Sequence, residues 1–164
     1  MKHPHLVGLI SDTHDHCPAI QKAVALLNDR GVGLVLHAGD FVAPFTAKDI
    51  GKLESPFVGV FGNNDGECAG LRKAFREIGK IYAGVHTLLY EGKKFVLMHE
   101  PSCIEALAHS GDFDVIVYGH THKVEVREGP TLVVNPGEVC GWVSGRCTAA
   151  ILDMDGMKVE VVDL

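Results

Sequence analysis

At 164 residues the chain is long enough to bury an apolar core without disulfide staples, and one domain over residues 1–164 is expected. Apolar residues make up 46% and charged residues 22%, which excludes a disordered or fibrous chain; the net charge of −6 argues against an extended nucleic-acid surface but not against a phosphate substrate beside bound divalent cations. The five cysteines include no C-x-x-C pair and no apolar run approaches membrane-spanning length, so the expectation is a cytoplasmic protein with reduced thiols and no membrane partner.

Residues 6–10 form a short apolar run of the kind found in a strand covered on both faces. It opens into Ser11-Asp12-Thr13-His14, where a carboxylate and an imidazole two residues apart can point the same way from one rigid support. A helix follows, with Ile20, Val24 and Leu27 at helical spacing, Pro18 in its first turn and a stop over 28–31. Residues 34–38 repeat the strand pattern and end in Gly39-Asp40. A short helix over 44–51 and a third strand over 57–61 come next, the strand ending in Gly62-Asn63-Asn64-Asp65. In an open α/β sheet ligands collect at the carboxyl ends of strands, so these exits place Asp12, His14, Asp40 and Asn63 along one rim.

Residues 68–79 read as a helix with Leu71, Phe75 and Ile78 on one face and Gly79 as its stop. The rhythm then changes to a hairpin, 86–90 with 94–98 around Glu91-Gly92, whose second strand runs into His99. A short helix over 104–109 precedes a strand over 115–118, which ends in Gly119-His120-Thr121-His122. The rest is β-rich: 123–128, 131–135, and a closing hairpin of 146–153 with 157–163. Alternating βα units followed by paired strands predict an α/β fold: a layered αββα sandwich of two stacked mixed sheets flanked by helices, with the site at the C-terminal rim of the strands.

Collected in order, Asp12-x-His14, Gly39-Asp40, Gly62-Asn63-Asn64-Asp65, His99 and Gly119-His120-Thr121-His122 resemble the motifs of the calcineurin-like metallophosphoesterase superfamily. The short chain and the Asn135-Pro136-Gly137 loop are similar to its compact prokaryotic phosphodiesterase branch. The resemblance implies a dinuclear site: Asp12, His14 and His122 for one ion, Asn63, His99 and His120 for the other, and Asp40 bridging them. The mixture of imidazole, carboxylate and amide oxygen suits two divalent transition-metal ions, Mn²⁺ first, with Ni²⁺, Fe²⁺ or Zn²⁺ as alternatives. It implies a metal-bridging hydroxide attacking phosphorus in line, with Asp40, Asn64 and His99 as the positions nearest the chemistry.

Asn64 departs from the pattern, because much of the superfamily has His there. An amide donates a hydrogen bond but cannot supply a proton, which implies a modest hydrolase favouring good leaving groups. Glu138, where the family often has Ser, is a second departure, read equally well as altering substrate access or as an exposed turn residue. Asp65 reads as a loop residue before a ligand, and His37 as a satisfied core histidine. His16 is balanced between phosphate contact and a solvated loop, and Trp142 is expected to pack on its own domain. His3, His5, His86 and His109 are expected at the surface.

The preferred function is a metal-dependent phosphoesterase, most simply a phosphodiesterase acting on a small phosphoester. The alternatives are a phosphomonoesterase and a non-catalytic protein-binding scaffold of the same fold. The resemblance also makes a homo-oligomer an expectation.

Overall fold

The computed structural model describes residues 2–164. In chain order the elements are β1 (His3–Ile10), α1 (Cys17–Asp29), β2 (Val32–His37), a 3₁₀ turn (Pro44–Thr46) running into α2 (Ala47–Ile50), β3 (Phe57–Val60), α3 (Cys68–Phe75) and β4 (Gly79–Tyr82). There follow β5 (His86–Tyr90), β6 (Lys93–Leu97), α4 (Ile104–Ser110), β7 (Val115–Val117), β8 (Val124–Arg127), β9 (Leu132–Pro136), β10 (Thr148–Asp153) and β11 (Lys158–Asp163).

Two mixed sheets result. The first has six strands in the order β11-β10-β1-β2-β3-β4, with β1 to β4 parallel and β10 antiparallel to β1. The second has five strands in the order β5-β6-β7-β9-β8, with β6, β7 and β9 parallel. In register, Ile10 lies opposite His37 and His37 opposite Gly59, so the ends of β1, β2 and β3 come out together. Leu97, Val117 and Val134 align the ends of the second sheet in the same way.

Strand alternation distributes the apolar residues over three layers. Val7, Leu9, Leu34 and Leu36 face Leu97, Val115, Val117 and Val134 between the sheets. Ile10, Val35 and Phe57, on the other face of the first sheet, pack beneath Ile20, Val24 and Leu27 of α1 and Leu71 and Phe75 of α3. Val96, Met98, Ile116 and Val133 meet Ile104 and Leu107 of α4. These strands are covered on both faces, which is why they appear in sequence as unbroken apolar runs. The five cysteines are free thiols, and among the described residues no helix is long and apolar enough to cross a membrane.

One stretch departs from expectation. The helix over 68–79 ends at Phe75, and Gly79 opens β4 instead of closing the helix. Ile78 N–H bonds the Phe75 carbonyl at 2.8 Å, turning the chain, and Gly79 then pairs with Phe57 so closely that a Cβ there would overlap the Phe57 carbonyl. The glycine reads as a helix stop; its function is close approach to a neighbouring strand.

Candidate metal centre

Five strand ends converge on one rim. β1 delivers Asp12 and His14, β2 delivers Asp40, β3 delivers Asn63 and Asn64, β6 delivers His99, and β7 delivers His120 and His122. The loops are laced by backbone bonds: Asp12 N–H to the Gly39 carbonyl at 3.0 Å, Thr13 and His14 N–H to the Asp40 carbonyl at 3.0 and 3.1 Å, and Gly119 N–H to the His99 carbonyl at 3.1 Å. Asp12, His14, Asp40, His120 and His122 all have positive φ, between 36° and 68°. Non-glycine residues held there cost on the order of 1–3 kcal/mol each, and such strain clusters at functional sites.

The donors fall into two groups that share Asp40 Oδ2. His14 Nε2 lies 3.3 Å from that oxygen and 3.7 Å from Asp12 Oδ1, which is itself 3.3 Å from His122 Nε2. On the other side, His99 Nε2 lies 3.4 Å from Asp40 Oδ2 and 2.8 Å from Asn63 Oδ1, and His120 Nδ1 is 2.9 Å from the same Asn63 oxygen. The seven positions expected to ligate metal are thus brought together.

This set fits divalent cations on its own chemistry. Asp12 Oδ1 and His14 Nε2 are buried with no hydrogen-bond partner. His99 Nδ1 donates to the Ala38 carbonyl at 2.7 Å and His122 Nδ1 donates to Glu138 Oε2 at 2.6 Å. In the neutral rings those bonds leave both Nε2 lone pairs aimed inward, where they meet acceptor oxygens. The neighbouring carboxylates, Asp12 first and then Asp40, favour a charged imidazole and raise the His14 pKa to about 9. Burial works against charge on His99, but Asp40 outweighs it and its pKa too is raised. Burial likewise opposes ionisation of Asp40, yet bonds from His14, His99 and Asn64 hold its carboxyl far below the usual range.

Around the donors stand residues whose roles the sequence does not reveal. Glu138 is neither an exposed turn residue nor a group lining an open approach: it is fully buried and accepts from His122 Nδ1–H at 2.6 Å, from Val143 N–H at 3.0 Å and from Ser144 N–H. Burial raises its pKa, but these bonds win and bring it down to about 2. Turn composition suggests exposure at position 138, and only the folded loop encloses it.

Asp65 is a loop residue as expected, with a definite task. It accepts N–H groups from Asp40 at 3.1 Å, Val42 at 2.7 Å and Gly62 at 2.8 Å, tying the β2 exit to the β3 exit. His37 is a satisfied core histidine: Nδ1 accepts from Gly39 N–H at 3.1 Å, so Nε2 donates to Thr13 Oγ1 at 3.1 Å. His16 is held by the Cys140 carbonyl at 2.7 Å and stacks on Trp142, which packs on its own chain yet stays 63% exposed. His3, His5, His86 and His109 contribute nothing to the centre; His86 is half-buried, stacked on Tyr82 at 3.6 Å.

Comparisons with known proteins show the family. Residues 6–157 match the calcineurin-like phosphoesterase superfamily domain. The chain is 39% identical over 163 residues to phosphodiesterase MJ0936 of Methanocaldococcus jannaschii, covering 96% of this chain and 98% of that protein. It superposes on the structure of an archaeal phosphodiesterase with a TM-score of 0.92 at 37% identity, covering 97% and 99% of the two chains. The Zn²⁺ complex of Vps29 from Entamoeba histolytica shares the fold at a TM-score of 0.67 and 22% identity, over 96% and 98% of the chains. With this match over nearly its whole length, the chain belongs to the calcineurin-like phosphoesterase superfamily and is a phosphoesterase.

Proposed function

We propose that this phosphoesterase hydrolyses phosphodiesters with two divalent transition-metal ions, Mn²⁺ favoured. Asp12, His14 and His122 would hold one ion, and Asn63, His99 and His120 the other. The observation that carries the reading is that Asp40 Oδ2 is common to both donor groups, 3.3 Å from His14 Nε2 and 3.4 Å from His99 Nε2. When bound, the ions would supply positive charge for the phosphoryl oxygens and lower the pKa of a water for in-line attack on phosphorus.

The chain's own residues prepare that chemistry. Asp40 remains ionised and offers the shared oxygen. Glu138 and the Ala38 carbonyl fix the tautomers and ring planes of His122 and His99. Asn64 donates to Asp40 Oδ2 at 2.7 Å and so acts as a positioning residue, with no titratable proton for a departing oxygen. Substrates with good leaving groups should therefore react best. The diester preference draws support from the 39% identical relative named a phosphodiesterase. Residues 1–164 would form one catalytic unit acting on a small phosphoester.

The test is hydrolysis of bis(p-nitrophenyl) phosphate beside p-nitrophenyl phosphate, on protein stripped of metal and resupplied separately with Mn²⁺, Ni²⁺, Zn²⁺ or Mg²⁺. Metal-dependent turnover of the diester, abolished in Asp40→Ala, is the expected result. Faster turnover of the monoester would reassign the substrate class. No turnover by protein carrying two ions per chain would favour the scaffold alternative.

A further inference from the structure

A cavity of about 540 Å³ opens beside Asn63 and His99 and runs between α3 and the residues that follow β4 and β6. Phe61, Val85 and Met98 supply apolar wall, Asn63, His99 and Ser102 polar wall, and two charged side chains line it, Arg72 on α3 and Glu100 beyond β6. The other four arginines each pair with a carboxylate: Arg30 with Glu160, Arg76 with Glu77, Arg127 with Glu105 and Arg146 with Asp163. Arg72 has no carboxylate partner among the described residues. Its Cζ lies 4.9 Å from the centroid of the Phe61 ring.

A guanidinium laid over an aromatic ring is restrained in position while its N–H edge stays free, and that edge matches phosphate oxygens two at a time. The chain carries 21 acidic residues against 15 basic ones, so an arginine in the cleft of the centre with no carboxylate paired to it is poised for an anion from outside. Among the described residues Glu100 is also without a cationic partner, so the cleft is polarised and draws an anion toward the α3 wall. The reacting phosphate is already provided for by the donor set at Asn63, His99 and Asp40.

We propose that this cleft is a subsite for one substituent of the substrate, and that Arg72 is a specificity-determining residue that binds a second phosphate on it. Favoured substrates are then diesters carrying a further phosphate away from the reacting phosphorus. The inference rests on the phosphodiesterase reading for the reacting group.

Calorimetric titration of the Mn²⁺-loaded protein with thymidine 5′-phosphate and with thymidine 3′,5′-bisphosphate tests it without relying on turnover. The unaltered protein should bind the bisphosphate about tenfold more tightly, the advantage should fall below about twofold in Arg72→Gln, and Arg72→Lys should restore part of it. Equal binding of the two nucleotides by the unaltered protein, or an advantage that survives in Arg72→Gln, overturns the proposal. Hydrolysis of bis(p-nitrophenyl) phosphate by the unaltered protein is followed in parallel. Diester turnover without an Arg72-dependent advantage removes the subsite and keeps the phosphodiesterase reading; an Arg72-dependent advantage without diester turnover does the reverse.

Discussion

Asn64 grips both oxygens of Asp40: its backbone N–H donates to Oδ1 at 2.9 Å and its side-chain amide donates to Oδ2 at 2.7 Å. The second oxygen is the one both donor groups share, so the residue at position 64 sets the rotation of the carboxylate on which the whole centre turns. Hydrogen bonds to a charged group contribute about 1.5–3 kcal/mol.

Asn64→Ala should therefore weaken metal binding about tenfold or more while leaving the fold intact, read by metal titration beside circular dichroism. Asn64→His places a proton donor at the same position. If it retains metal, hydrolysis of diesters with alkoxide leaving groups should rise by up to roughly 10²-fold. An unchanged rate in a metal-replete Asn64→His variant would show that proton donation does not limit the enzyme.

Glu138 fixes His122 from behind. Glu138→Gln keeps the volume and one acceptor oxygen but removes the charge that stabilises the Nδ1–H tautomer. Metal affinity should fall roughly 10–100-fold, with the ion at Asp12, His14 and His122 most affected, as followed by competition with a chelator. Unchanged affinity would mean that the backbone around His122 suffices to orient it.

Metal uptake should release protons. The metal-free chain carries a proton on His14, whose pKa is about 9, and Nε2 can ligate only after losing it. Affinity should accordingly rise with pH by up to about tenfold per unit below pH 9, and then level off. Calorimetry in buffers of different ionisation enthalpy should count about one proton or more released per chain at pH 7.5. Absence of any buffer dependence would contradict the protonated state assigned to His14.

His37 links the centre to acid stability. Burial, followed by the neighbouring charge on His99, lowers its pKa from 6.5 to about 3. The folded state thus binds fewer protons than the unfolded state between those values. The contribution of His37 is fully present above pH 6.5 and declines as pH falls toward 3, by up to about 1.4 kcal/mol per pH unit. In His37→Gln, which cannot titrate, urea midpoints should fall less steeply between pH 6.5 and 4 than in the unaltered protein. Parallel curves would remove His37 as the source.

Gly62 has no room for a side chain: a Cβ would overlap Asp40 Oδ1 and lie 2.6 Å from the Asp40 backbone nitrogen. Gly62→Ala should displace the shared carboxylate and abolish loading of at least one ion, with a smaller loss of thermal stability. Full loading of both sites would show that the β2 and β3 exits can separate without cost to the centre.

The sequence by itself made most of the elements legible and set seven candidate donors at strand exits, and the resemblance of their motifs to a known superfamily implied that they act as one set. Strands buried on both faces announce themselves as apolar runs, and Asp12, His14, Asp40, Asn63, His99, His120 and His122 are legible because each follows such a run within a few residues. Those are local relations, fixed by chain connectivity and side-chain chemistry. Only the tertiary structure decided who partners whom across the loops. Gly79 opens β4 because Phe57, far back in the chain, lies against it. Glu138 is buried because His122 and the 143–144 backbone close over it. Asp65 collects amides from two loops that touch only when β2 and β3 lie side by side. Arg72 is set over Phe61, with no carboxylate paired to it among the described residues, by the packing of α3. A side chain's hydrogen bonds and counter-charges depend on which distant groups the fold brings within about 3 Å of it, and no periodicity of the sequence encodes that distance.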